Sequence, residues 1–204
     1  LHKSIFKIGN VAELNMELSI KLLVLGILFG MIGGLFAFFL KHTKAFVTNK
    51  ITNPYKRIFV MGVLVALLLF MLGQWRYSGV CENLIVASFT SEKIYGYDWI
   101  LKLVLTILTL SAGFQGGEVT PLFAIGSSLG VVIAPAFGLD PLFVAALGYS
   151  SVFGAATNTF LAPIAIGMEV FGYQYFPFFF IVCAISYIAN QNESIYALQR
   201  QVRE

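Results

Sequence analysis

The chain has 204 residues, of which 58% are hydrophobic and 11% charged, with 20 phenylalanines and a formal net charge of +3. A soluble domain carries roughly a quarter charged residues, so this composition excludes an ordinary water-soluble globule and makes the lipid bilayer the first expected partner. The few basic residues are spread along the links between apolar runs, which argues against nucleic acid as a partner.

Residues 1–15 mix charged and apolar side chains and read as a linker or interfacial segment; with no cleavable signal pattern at Leu1, the start looks cut rather than begun. A first span is expected from about Met16 to Lys41. Its charge-free part, Leu22 to Leu40, matches the roughly 20 apolar residues needed to cross a bilayer. Gly26, Gly30 and Gly34, four residues apart, predict close approach by another helix. Lys41, Lys44, Lys50, Lys56 and Arg57 crowd the link that follows and put it on the cytoplasmic side. Asn53-Pro54 turns the chain into a second span, about Tyr55 to Leu72. The more polar stretch Gly73 to Tyr97 then faces outside, with a short helix over Leu84 to Phe89. Trp75, Tyr77, Tyr95, Tyr97 and Trp99 are spaced as an interfacial aromatic belt.

A helix from about Asp98 to Ser111 is apolar except for Lys102, which either snorkels, pairs with a carboxylate or meets an anion. It leads into Gly116-Gly117-Glu118-Val119-Thr120-Pro121. Paired glycines give backbone freedom and close ligand approach, and Pro121 suits a first helical turn, where a missing N–H costs nothing. Such a turn presents unpaired N–H groups and the positive end of the helix dipole, a ready anion site. The helix is expected to run to about Ala134 and stop at Pro135, and Gly138-Leu139-Asp140-Pro141 turns the chain into another reaching about Ala156.

Thr157-Asn158-Thr159 is a polar break. A short helix follows, about Leu161 to Phe171, carrying Glu169 as either a functional acid or a structural one bonded to backbone or to Lys102. A Phe-rich helix from Tyr175 to Ala189 closes the membrane-embedded part, residues 16–190. Asn190 and Glu193 resemble a capping box opening a final amphipathic helix, Glu193 to Glu204, in a cytoplasmic-side segment of residues 191–204. The fold expected is all-α and integral to the membrane. Tilted, interrupted helices in succession mean a transporter or channel interior, because broken backbone at membrane depth needs protein or a water-filled cavity around it.

An enzyme is not indicated. His2 and His42 lie outside the apolar spans, no two acids sit close together, and Ser127 and Ser128 have no base nearby. Cys81 and Cys183 suggest neither a disulfide nor a metal site, and no cofactor is called for.

The Gly-Gly-x-x-x-Pro stretch, the order of helices and Tyr196 together resemble the second half of the CLC family of chloride channels and proton-coupled anion antiporters. That resemblance implies one of two inverted repeats, an anion held by Gly117, Glu118, Val119, Thr120 and Tyr196, and Lys102 and Glu169 at the family's basic and acidic positions. Glu118 followed by Val119-Thr120, with the Asn158-Thr159 break, looks like the branch of fluoride/proton antiporters that export fluoride. In that branch the glutamate and threonine are implicated in fluoride recognition and coupling, so Glu118 is the coupling candidate and Asn158 a secondary one. The alternative is a chloride channel or chloride/proton antiporter. The resemblance further implies protons as co-substrate, a missing N-terminal half that supplies a gating glutamate, a homodimer of the full protein, and a multi-pass place in a bacterial inner membrane with the C-terminus cytoplasmic.

Overall fold

A computed structural model describes residues 6, 8, 14–72, 75–79, 82–90, 92–114 and 116–196. Among these residues the regular structure is entirely helical: α1 (Met16–Lys50), α2 (Pro54–Met71), α3 (Glu82–Phe89), α4 (Asp98–Ala112), α5 (Val119–Phe137), α6 (Pro141–Thr157), α7 (Leu161–Phe171) and α8 (Phe176–Ala189), with short 3-10 turns at Trp75–Tyr77 and Tyr173–Tyr175. By length and composition α1, α2 and α5 can cross a membrane. At 17 and 11 residues, α6 and α7 are only about 25 and 16 Å long, short of the roughly 30 Å hydrocarbon core. The expected interrupted architecture is present.

Helix α6 is the centre. Every side chain from Phe143 to Thr157 is buried, and α1, α5, α7 and α8 all pack against it. Its ends follow from local sequence: Asp140 accepts the Phe143 N–H at 3.0 Å and Pro141 occupies the first turn. At the other end Asn158 takes a left-handed conformation, φ 52° and ψ 46°. The α1 glycines work as their spacing predicts. A Cβ on Gly26 would lie 2.7 Å from Ile185 Cβ, and one on Gly30 or Gly34 would meet the carbonyls of Ser186 at 2.6 Å and Asn190 at 2.7 Å. Hence α1 and α8 touch backbone to backbone, as small-residue seams allow.

Several boundaries differ from expectation. Helix α1 continues to Lys50, so Lys41, Lys44 and Lys50 ride on a helical extension, Lys56 and Arg57 begin α2, and the link shrinks to residues 51–53. Asn53 makes that abrupt restart possible by accepting the N–H groups of Tyr55 and Lys56. Pro135 does not stop α5, which runs two residues further to Phe137 and is capped by Gly138 with φ 60°. Tyr77 is buried rather than interfacial, its hydroxyl bonded to Asp98, while Tyr95 and Tyr97 are exposed and stacked. Asn190 closes α8 instead of capping a new helix: it accepts the Asn192 N–H at 2.9 Å, and Gln191 and Asn192 take φ of 57° and 69°. Residues 193–196 are consequently non-helical. Residues 197–204, His2 and Cys81 lie outside the described residues, as does most of the 1–15 segment.

Candidate functional site

The site is assembled where α4 hands the chain to α5. Gly113 ends α4 with φ 100°, a conformation suited to glycine. Arg57 of α2 donates from Nε to the Ala112 carbonyl at 3.4 Å and from Nη1 to Thr48 Oγ1 at 3.0 Å, placing a cation on the negative end of α4. Sequence reasoning gave Arg57 a topological role only; its second task depends on a contact across 55 residues.

From there the chain reaches Gly116 and Gly117. Neither takes a positive φ, and a Cβ on either would meet no described atom within 4 Å. Backbone freedom is therefore not what this chain alone requires of the pair; what it leaves is open space in front of α5. Glu118 sits at the N-cap position with φ −79° and ψ −23° and makes no side-chain capping bond. Its carbonyl accepts the Leu122 N–H at 3.4 Å, whereas the N–H groups of Val119 and Thr120 fall in the first turn, where no intrahelical acceptor exists. Pro121 offers none. Thr120 Oγ1 makes no hydrogen bond among the described residues, so it is not spent on a local cap. A half-buried carboxylate, a hydroxyl and two amide donors thus converge on one helix start.

Tyr196, from the other end of the chain, feels the charge of Glu118. Partial burial, and then the nearby Glu118 carboxylate, push its hydroxyl above the ordinary tyrosine range. A negative charge beside a phenol disfavours the phenolate. The two residues, 78 positions apart in the sequence (196 − 118), are thus linked electrostatically.

Lys102 of α4 lines the cavity that borders Gly116 and Gly117. It is 3% exposed, so it does not snorkel, and no described carboxylate forms an ion pair with it. Its ammonium instead donates to the carbonyls of Gly79 at 3.1 Å and Tyr77 at 3.4 Å. Next to them Asp98, fully buried one turn earlier, accepts from the Tyr77 hydroxyl at 2.5 Å, Arg76 at 2.8 Å and the Tyr95 N–H at 2.9 Å. Lys102 lines a cavity of about 290 Å³ together with Thr106, Phe114, Gly116, Gly117 and Pro121. The open side of the glycine pair therefore faces a buried cation.

The two remaining candidates lie elsewhere. Glu169 is exposed on α7, on the stripe it shares with Leu161 and Ala165, opposite the buried Ile164, Gly167 and Phe171; α7 packs on α6, α8 and the Tyr173–Tyr175 turn. Asn158 is buried, and its amide faces Asn190 and Asn192. Among the described residues no cluster of His, Cys, Asp and Glu could hold a metal ion.

Short broken helices around a buried small-residue core, beside three helices long and apolar enough to cross a membrane, define an all-helical fold of the membrane class. The chain belongs to the family described as voltage gated chloride channel, whose model matches residues 2–191. It is 37% identical over 201 residues to a "Chloride/fluoride channel protein" of Pseudomonas syringae pv. tomato, which covers 96% of this chain and 44% of that protein. It is 27% identical over 179 residues to the "H(+)/Cl(-) exchange transporter ClcA" of Klebsiella pneumoniae subsp. pneumoniae, 82% of this chain and 38% of that one. Among solved structures, a CLC-type fluoride/proton antiporter superposes with a TM-score of 0.95 at 55% identity, over 98% of this chain and 51% of that one. A slow cyanobacterial Cl−/H+ antiporter, with a TM-score of 0.76 and 20% identity over 92% of this chain and 46% of that one, shares the fold. The chain spans about half the length of the relatives it matches, and its all-helical fold is that of the family.

Proposed function

We propose that this chain supplies half of the pathway of a fluoride/proton antiporter that exports fluoride. The observation that carries the reading is the start of α5, where the half-buried, uncapped Glu118 stands beside the unpaired first-turn N–H groups of Val119 and Thr120. Fluoride is small and strongly hydrated, and stripping an ion of water without replacement donors costs many kcal/mol. The first-turn N–H groups of Val119 and Thr120, with Gly117 leaving room beside them, and the hydroxyls of Thr120 and Tyr196 replace part of that shell. An ionised Glu118 repels the anion, and an anion beside it raises the carboxyl pKa, so taking up a proton and taking up fluoride favour each other. Glu118 is thereby the coupling group of this half. The 55% identity to a structure named as a fluoride/proton antiporter supports fluoride as the substrate.

In the same reading the full protein is a homodimer in a bacterial inner membrane with its C-terminus in the cytoplasm. The exposed stripe of α7 and the exposed Phe176 and Phe180 of α8 form the contact between subunits. Chloride/proton exchange is the second reading, favoured by the likeness to the exchange transporter ClcA.

The test is anion efflux from liposomes holding the full-length parent protein, with fluoride and chloride compared and external pH recorded. Fluoride efflux accompanied by proton uptake, with little chloride efflux, is expected. Chloride leaving as fast as fluoride would replace this reading with the second.

A further inference from the structure

Asn158 and Asn190 do not face the anion position, yet both are almost completely buried, at 4% and 2% exposure. Burying two amides is costly unless their hydrogen bonds are made. Where those bonds go shows their use.

The last carbonyls of any helix lack intrahelical donors. At the end of α6 three of them are taken by the chain that leaves α8. Asn190 Nδ2 donates to the Ala155 carbonyl at 2.8 Å, the Ile195 N–H to the Ala156 carbonyl at 2.9 Å, and Ser194 Oγ to the Thr157 carbonyl at 3.3 Å. Ser194 Oγ also accepts the N–H of Tyr196 at 3.1 Å. Residues 190–196 are thus laid over the C-terminus of α6, one carbonyl at a time, and the last bond, from the Tyr196 N–H to Ser194 Oγ, falls on Tyr196 itself. Asn158 locks the arrangement: its Oδ1 accepts from Asn190 Nδ2 at 3.1 Å and its Nδ2 donates to Asn192 Oδ1 at 3.5 Å. Glycine would satisfy the left-handed backbone at 158 equally well. The asparagine side chain is present for the amide link.

We infer that Asn158 and Asn190 are positioning residues for Tyr196, setting where its hydroxyl stands relative to the start of α5. The inference rests on the reading of Tyr196 as an anion contact. Both halves of the candidate site are then referenced to one rod, because α5 is packed along α6 and Tyr196 hangs from α6's end. A misplaced donor costs little in stability and much in a site that must replace the water around a small anion.

The experiment is a double-mutant cycle in the full-length parent protein in liposomes, comparing the wild type, Asn158→Gly, Tyr196→Phe and the double variant for fluoride and chloride efflux. Asn158→Gly keeps the backbone conformation and removes the link. Its fluoride efflux is expected to fall about tenfold, the weight of one lost hydrogen bond, and Tyr196→Phe should fall no further when Asn158→Gly is added. Asn158→Asp, which keeps the acceptor for Asn190, should recover most of the flux. Ser194→Ala, which touches no strained residue, is read through the same cycle if Asn158→Gly does not fold. Losses that multiply in the double variants, or wild-type efflux from both Asn158→Gly and Ser194→Ala, would overturn the positioning role while leaving the transport reading intact. A wild type that moves neither anion would remove the transport reading and this inference with it.

Discussion

Gly126 of α5 and Gly148 of α6 face each other with no side chain between them, and a Cβ built on either would run into the other's carbonyl. Gly130 repeats the contact one turn on, 2.5 Å from the Val144 carbonyl by the same construction. The two helices are therefore locked in register as well as in distance.

Gly148→Ala should disrupt this contact. Neither backbone can retreat, since α6 is buried on every side, and overpacking of this kind costs about 1–3 kcal/mol or more. A thermal melt of the purified full-length protein should show a lowered midpoint, with fluoride efflux lost as the start of α5 shifts. An unchanged midpoint would show that α5 and α6 can slide apart.

Asp98 is expected to be the most sensitive charged residue at the start of α4. It holds Tyr77, Arg76 and the Tyr95 N–H at once, and removing one partner of a buried ion pair costs about 3–5 kcal/mol. Asp98→Ala should lower the melting midpoint strongly. If Lys102→Met lowers it far less, the Asp98 anchor carries the stability and the Lys102 ammonium does not.

Glu118→Gln removes the titrating proton and keeps the shape. Proton uptake during fluoride efflux should drop, and the ratio of protons to fluoride should change. Unaltered flux and unaltered ratio would reduce Glu118 to an acid favoured by a helix dipole, an effect of about 0.3–1 kcal/mol.

The pH dependence of Tyr196 has a definite sign. Burial and Glu118 raise its pKa, so the neutral, donating hydroxyl persists through neutral pH and past the ordinary tyrosine value. The ratio of wild-type to Tyr196→Phe fluoride efflux should accordingly stay constant between about pH 7 and 9. A ratio falling toward one within that window would mean a phenol that ionises early, the reverse of what its surroundings dictate.

Much of the helix order was readable because apolar runs, Asn-Pro and Asp-Pro starts and left-handed glycine stops are local signals. Helix α7 begins and ends where its sequence says, and the α1 glycine spacing foretold its seam with α8. What stayed hidden depended on distant partners. Nothing near Tyr77 announces Asp98, and nothing near Asn190 announces that it faces Asn158 and the α6 carbonyls rather than a helix of its own. The long α1 was missed because lysines at Lys41 and Lys44 resemble a loop, although lysine is a good helix former. The electrostatic influence of Glu118 on Tyr196 has no local signal in the sequence, since 78 positions separate the two.

The glycine lock and the empty space at Gly116 and Gly117 have a joint consequence for how such a protein changes over generations. Small residues fix α5 against α6 so closely that a new specificity cannot arise by moving the helices. Gly116 and Gly117, by contrast, border open volume, and a Cβ added at either would meet no described atom within 4 Å. Change is thus far cheaper just ahead of α5, at Gly116 and Gly117, than anywhere along the α5–α6 seam.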